Sequence, residues 1–472
     1  MRSKQFRSYE VKETNFSNWF NDLLIDAQIM DVRYPIKGLY VWFPFGFKLR
    51  KLTYDILRSL LDRDHEEAYF PLLIPENELL KESEHVKGFE EEVFWVTRGG
   101  FGELDIPLAL RPTSEAAIYP MFSIWIRSHA DLPLKIYQLV NALRYETKHT
   151  RPLIRLREIT SFCEAHTTHT SWEDAELQTH AAVDLYKEFY DRLGIPYIVS
   201  RRPTWDKFPG ADYTLAFDTL MPDGKSLQVG TIHHLGTNFA KTFDVTYEDR
   251  DGNQQFVNQT CYGISERCIA SVISVHGDDK GLILPPEIAP VQVVIIPIYS
   301  KQANSEAILK ACSEIQQELS HYRVVLDTDD IRPGAKFYKW EKQGVPIRLE
   351  IGPRDLSSGS VTLVRRDTRK KESVKRSEMQ SRLALAMSNM LENITERARA
   401  FLVSFMIDIE MPEQAKGKKG IFKISWCGSE SCGRKMQELS DADILGETEP
   451  MEGRCPVCNA PTTVRALLAK PY

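Results

Sequence analysis

Residues 135–169 read KIYQLVNALRYETKHTRPLIRLREITSFCEAHTTH, and this stretch decides the fold. Ile136, Tyr137, Leu139, Val140, Ala142 and Leu143 mark an apolar strand, Thr147 to Thr150 a polar turn, and Ile154, Leu156, Ile159 and Phe162 a returning strand. Together they predict a β-hairpin. Its charge is unusual: Arg144, Lys148, Arg151, Arg155 and Arg157 crowd the middle, and Glu146 follows Arg144 by two residues, which places both on one face of a pleat. An Arg and a Glu sharing a strand face, with further Arg opposite, suit a sheet floor that holds a polyanion joined to a basic heterocycle. An ordinary solvated, salt-bridged hairpin would carry the same charges.

With 472 residues and a net charge of −6, the chain has room for roughly two to four domains that each bury a core. It contains no apolar run of 18 or more residues, so no transmembrane helix is predicted. Met1 to Arg7 is polar and leads into no apolar segment, which argues against secretion and for a cytoplasmic protein. The overall charge announces no nucleic acid, although a local basic surface is all that phosphate contacts require.

Working outward, residues 15–32 and Phe47 to Asp62 have helical periodicity, and Tyr69 to Pro75 reads as an edge strand because Pro71 cannot donate to a ladder. Residues 93–111 alternate as a hairpin around Gly99-Gly100 and end in Arg111-Pro-Thr-Ser-Glu115. Thr113 and Glu115 stand at the mouth of a helix, where a hydroxyl cap and a dipole-favoured carboxylate explain them structurally, and where the same pair could grip an ammonium group. Glu164 and His166 share a strand face with Phe162. A helix over Trp172 to Leu193, strands near 197–200, 214–218 and 226–230, and a polar run from Thr231 to Phe239 follow. A hairpin turns at Asp251-Gly252, and Arg267 opens a helix, a position that favours anions. After Leu284-Pro-Pro286 strands and helices alternate, predicting a small α/β domain with a mixed, largely parallel sheet.

Three segments resemble the signature motifs of class II aminoacyl-tRNA synthetases, most closely the prolyl-tRNA synthetases of archaeal and eukaryotic type. Phe47 to Pro75 resembles motif 1, Arg144-Tyr-Glu146 with Arg155-Leu-Arg-Glu158 resembles motif 2, and Gly263-Ile-Ser-Glu-Arg267 resembles motif 3. The prolyl branch is suggested by Arg111 to Glu115, Gly230 to Ala240, His276 to Leu282, and Arg332 to Phe337 with Gly344-Val-Pro346. The resemblance implies an α+β catalytic domain with an antiparallel sheet over residues 1–285, an α/β anticodon-binding domain over 288–395 and a small zinc-binding domain over 400–472. It further implies proline–tRNA ligation with ATP and Mg²⁺, tRNA as partner, and a homodimer built on motif 1. Arg144 and Arg267 would be catalytic. ATP would meet Arg144, Glu146, Arg155, Arg157, Gln228, Thr231 and Arg267, and proline would meet Thr113, Glu115, Arg144, Phe162, Glu164, His166 and His233. Arg348, Glu350, Arg354 and Arg366 could read tRNA bases or phosphates, or be charged strand ends in solvent.

Two departures stand out. Ile159 occupies a place where related enzymes usually stack a Phe on adenine, so an aliphatic side chain would serve here. About 110 residues between Arg157 and Arg267 leave no room for the editing insertion of bacterial prolyl enzymes. Of eight cysteines, Cys163, Cys261, Cys268 and Cys312 are scattered and read as small buried side chains. Cys427-x4-Cys432 and Cys455-x2-Cys458 have the spacing of a structural tetrahedral zinc site, with redox pairs or disulfides as the alternative. In the resembling enzymes the terminal carboxylate folds back towards the catalytic domain. The competing readings are a threonyl or histidyl relative and a non-catalytic RNA-binding paralogue.

Overall fold

The strands Leu134–Leu143 and Glu158–His169 pair antiparallel, with Gln138 opposite Glu164 and Ile136 opposite His166. This computed structural model describes residues 12–81, 90–147, 149–299 and 305–472; Lys148 and Met1 to Arg7 lie outside the described residues. The hairpin is real, but its returning strand starts later than the apolar alternation suggests. Residues 144–147 and 149–157 belong to a loop closed on itself by Arg151 and Arg155, and Leu153, Ile154 and Leu156 are buried as its plug. Arg144 and Glu146 are therefore loop neighbours, the Glu146 N–H donating to the Arg144 carbonyl, and share no pleat. Gly38 seats this loop: its carbonyl accepts from the Arg157 N–H, its φ is +83°, and a Cβ there would stand 2.8 Å from the Arg157 side chain.

Asn258–Ile264, Ser226–Gly236, Tyr213–Leu220 and Ile198–Arg201 extend the sheet, all antiparallel. Period-two alternation sorts its residues. Tyr137, Ala165, Tyr262 and Ile232 point into a core formed with the helices Phe16–Asp26, Pro44–Leu61, Trp172–Arg192 and Arg267–His276. Phe16, Trp19, Phe20, Leu23 and Leu24 recur at helical spacing and are all buried, each worth about 1.5–3 kcal/mol of hydrophobic stabilisation. That first helix ends at Asp26 rather than near 32, because Gln28 turns with φ +59° and Met30–Asp31 pairs with Val41–Trp42.

Other boundaries shift for identifiable reasons. Only Leu73–Pro75 of the expected 69–75 strand is paired. The Phe70 and Pro71 carbonyls instead accept from the Arg111 guanidinium, which is buried and also donates to the Asn141 carbonyl. Ser114, not Thr113, precedes the helix Glu115–Trp125, and its hydroxyl accepts from Gln138 Nε2.

Residues 293–375 build a five-stranded sheet ordered Val324–Leu326, Val293–Pro297, Ile347–Ile351, Ser360–Arg365 and Lys371–Lys375. The first three strands are parallel and the last two antiparallel, so the sheet is mixed but only half parallel. Lys371–Lys375 escaped the sequence reading because Val374 is its single buried residue. Arg348 and Arg366 are not solvent-exposed strand ends. Arg348 is held by Glu350 and Glu341, and Arg366 makes a two-pronged ion pair with Asp278. Of that quartet Arg354 alone is exposed.

The C-terminal strands Met406–Asp408, Ile421–Ser425, Arg465–Ala469 and Asp443–Thr448 do not stand apart. They continue the same sheet, Glu447 pairing with Arg201, to give eleven strands in one surface. Among the described residues no helix is long and apolar enough to cross a membrane.

Candidate active site

Register assembles the site on the sheet face opposite the core. One cross-strand row reads Ile136, His166, Cys261, His233 and Thr214; the next reads Gln138, Glu164, Gly263, Thr231 and Ala216. Phe162, Glu164 and His166 occupy alternate positions of one strand and so share this face. A bulge at Val229 breaks the count, and both Gln228 and Thr231 then line the same cavities.

Two cavities meet here. The smaller, about 140 Å³, is lined by Arg144, Glu146, Arg155, Ile159, Glu266 and Arg267 among others. The larger, about 580 Å³, is lined by Thr113, Glu115, Glu164, His166, His233 and Cys261 among others. Arg144, Phe162, Gln228, Thr231 and Gly263 belong to both walls.

The small cavity gathers three guanidiniums, Arg144, Arg155 and Arg267, against the carboxyls of Glu146 and Glu266. Arg267 opens its helix and donates to the Ile154 and Gln228 carbonyls. Burial, then the charges of Arg144 and Arg155, lower its pKa to about 10, which leaves it cationic at neutral pH. Arg144 donates to the Pro112 carbonyl and lies 5.8 Å from the centre of the Phe162 ring. Arg155 donates to the Tyr472 oxygen at 3.3 Å, so the chain terminus does reach this cavity's edge. Arg157, expected beside ATP, instead stacks 4.5 Å over the Tyr145 ring and donates to the Glu146 carbonyl, outside both cavity walls. Ile159 is on the wall of the small cavity together with Phe162.

The large cavity presents acceptors. Thr113 donates its hydroxyl to Glu115, which is buried, and Gln138 donates to Glu164. Glu164 Oε1 is buried with no hydrogen-bond partner among the described residues, an arrangement whose cost of about 1–3 kcal/mol a cationic ligand would remove. His166 bonds through Nδ1 to the Tyr119 hydroxyl at 3.0 Å. Burial, then His166, push His233 down to about 3, so it stays neutral, bonded to Thr214 and packed on Phe208.

Comparison with known proteins fits this geometry. Residues 94–276 match the tRNA synthetase class II core domain (G, H, P, S and T), residues 292–384 the anticodon binding domain, and residues 410–472 the prolyl-tRNA synthetase C-terminal domain. The proline–tRNA ligase of Methanococcoides burtonii is 57% identical over 470 residues, covering 97% of each chain. That of Methanosarcina mazei is 58% identical over 466 residues, again covering 97% of each. The chain belongs to the proline–tRNA ligase family. Its fold matches Giardia lamblia prolyl-tRNA synthetase solved with prolyl-adenylate, at TM-score 0.95 and 35% identity over 99% of this chain and 100% of that one. The Cryptosporidium parvum enzyme, complexed with halofuginone and AMPPNP, gives TM-score 0.93 and 32% identity over 98% and 99%.

In this ligase the tail cysteines Cys427, Cys432, Cys455 and Cys458 converge, their sulfurs within 4.8 Å of one another. Four thiols so placed can hold a metal ion and fit tetrahedral zinc. One wall of the large cavity, from Arg202 to Pro209, is not legible in the sequence. Arg202 there bonds Asp218 and Gln228, orienting the latter. The signal present was the loop composition Arg-Pro-Thr-Trp-Asp-Lys-Phe-Pro-Gly after a strand, which marks a loop without saying what it faces.

Proposed function

We propose that this chain activates L-proline with ATP and transfers the prolyl group to the proline tRNA. The observation that carries the reading is Arg144 on the wall common to both cavities, between a cationic compartment and one with buried carboxylates. An imino acid fits the second compartment, its ammonium against Thr113, Glu115 and Glu164, its ring against Phe162, with His166 and the neutral His233 completing the walls. ATP fits the first, with Glu146 at the base, Gln228 and Thr231 towards the ribose, and Arg155 and Arg267 on the phosphates. Ile159 supplies an aliphatic surface for adenine. Arg157 supports Glu146 through its carbonyl rather than touching nucleotide.

A proline carboxylate oxygen then attacks the α-phosphorus, a bond to it forms, and the bond to diphosphate breaks. Arg144 and Arg267 neutralise the charge that develops, which is catalysis by prearranged electrostatics with no enzyme nucleophile. A terminal tRNA hydroxyl next attacks the prolyl carbonyl and AMP leaves. Mg²⁺ accompanies ATP as the counter-ion of its phosphates, and zinc in the tail quartet is structural. The catalytic unit spans 1–285, the anticodon-binding unit 288–395, and the zinc unit 400–472. Exposed Tyr34, Ile36, Val41 and Phe47 support a homodimer formed through the motif 1 region. A tail cysteine quartet gathered for a metal supports a reducing, cytoplasmic setting.

ATP–diphosphate exchange with each of the twenty amino acids tests the reading. A proline-dependent signal far above the others supports it; a stronger signal with another amino acid, or silence with all, overturns it.

A further inference from the structure

Cys261 has no part in the reaction just described, yet it stands in the same cross-strand row as His166 and faces Glu115. The three side chains are each under 5% exposed, and one ligand atom from each lies within 4.8 Å of the others. The Cys261 sulfur is 3.8 Å from Glu115 Oε1. His166 bonds its Nδ1 to the Tyr119 hydroxyl, which fixes the ring; with Nδ1–H as the donor, Nε2 presents its lone pair to a ligand. Glu164 Oε2 is 3.9 Å from that nitrogen, and Glu164 Oε1, 96% buried by its residue, has no hydrogen-bond partner among the described residues. An unpartnered carboxylate oxygen beside a thiol, an imidazole and a second carboxylate is a donor set for a cation.

The chemistry narrows the choice of ion. Mg²⁺ prefers an all-oxygen octahedron, whereas mixed sulfur, nitrogen and oxygen ligation selects Zn²⁺ or a similar transition ion. Three protein ligands with a further position open to a cavity is the pattern of a zinc site that exchanges its fourth ligand. Here the cavity is the one assigned to the imino acid.

We propose that Glu115, His166 and Cys261 bind Zn²⁺ inside the imino-acid pocket and that the bound ion excludes proline. Binding displaces the thiol proton to solvent and converts Cys261 to the thiolate; no redox step is involved. The inference rests on the assignment of that pocket to proline. It makes the synthetase sensitive to free zinc at a place distinct from the tail quartet, which would hold its own ion permanently.

The experiment uses full-length zinc-loaded protein, freed of loosely bound metal by gel filtration. Equilibrium dialysis against ZnCl₂ should add a second zinc per chain, which L-proline displaces and which is absent in Cys261→Ala and Cys261→Ser. In proline-dependent exchange, ZnCl₂ should inhibit competitively with proline, and either variant should need at least about tenfold more zinc for half-inhibition of its own uninhibited rate. A single zinc per chain in the wild type, a second zinc that survives both substitutions, or inhibition competitive with ATP and not proline would overturn the proposal. Absence of any proline-dependent exchange would instead overturn the pocket assignment, while dialysis would still report on the metal site. If Cys261→Ala does not fold, Cys261→Ser, which keeps a side chain of similar size, decides the matter.

Discussion

Arg144 and Arg267 face one cavity from separate segments of the chain, and after burial the charge of Arg144 is the largest influence lowering the pKa of Arg267. Two guanidiniums facing one cavity from separate segments are a pair preorganised for phosphate. Arg144→Ala and Arg267→Ala are each expected to slow proline-dependent exchange by about 10²–10³-fold in kcat, the size of losing one electrostatic contact in a transition state. Arg267→Lys should recover little, because a lysine lacks the planar fork and burial would lower its pKa further. Urea unfolding of the same variants separates this from loss of the fold.

Glu164 Oε1 is poised for a charged partner. Glu164→Gln should raise the KM for proline by about 10–100-fold, corresponding to one hydrogen bond to a charged group, with a smaller change in kcat. The check is exchange kinetics at varied proline and saturating ATP. An unchanged KM would place the imino group elsewhere.

Glu266 gives the protein a pH-dependent stability. Burial pushes its carboxyl up to about 7, although the Thr160 N–H and hydroxyl donate to Oε1. The folded chain therefore holds this proton more tightly than the unfolded one. Its contribution is fully present below about pH 4.5 and is lost as pH rises through about 7. Glu266→Gln should flatten that decline, and unfolding free energies at pH 5 and pH 8 should differ by about 3 kcal/mol less than in the wild type.

Asp278 shows the opposite sign. Burial opposes its ionisation, but the Arg366 guanidinium prevails and holds it at about 2. This stability is present above about pH 3.8 and is lost as pH falls towards 2. Because Arg366 is 99% buried, Asp278→Ala at neutral pH should cost about 3–5 kcal/mol by leaving that cation unpaired. Thermal unfolding monitored by circular dichroism measures it, and Arg366→Met with Asp278→Ala should restore part of the loss.

Removing metal from the tail quartet should loosen residues 421–469 before the rest of the chain. Limited proteolysis with and without a chelator should show new cleavage there first. The Arg155 contact with Tyr472 should go with it, raising the KM for ATP more than the KM for proline.

Much of this site is written in period-two spacing. Phe162, Glu164 and His166 could be placed on one strand face from sequence alone, and the convergence of Thr113, Glu115 and Arg144 was implied by the resemblance to class II synthetases. The loop at 144–157 could not be placed, because Ile154 and Leu156 alternate like strand residues while serving as its buried plug. Arg348 and Arg366 looked like surface charges since an ion pair with Glu350 or Asp278 leaves no mark on local composition. Cys261 seemed inert for the same reason. Its neighbours His166 and Glu115 are 95 and 146 positions away, and register alone brings them together.

The eleven-strand surface has a consequence for synthesis. While residues beyond 440 are still being translated, the Ile198–Arg201 strand offers unpaired backbone groups on the side that Glu447 later occupies. The nascent chain thus carries an open edge until Asp443–Thr448 emerges, and a chain stalled before that point would be prone to edge-to-edge association.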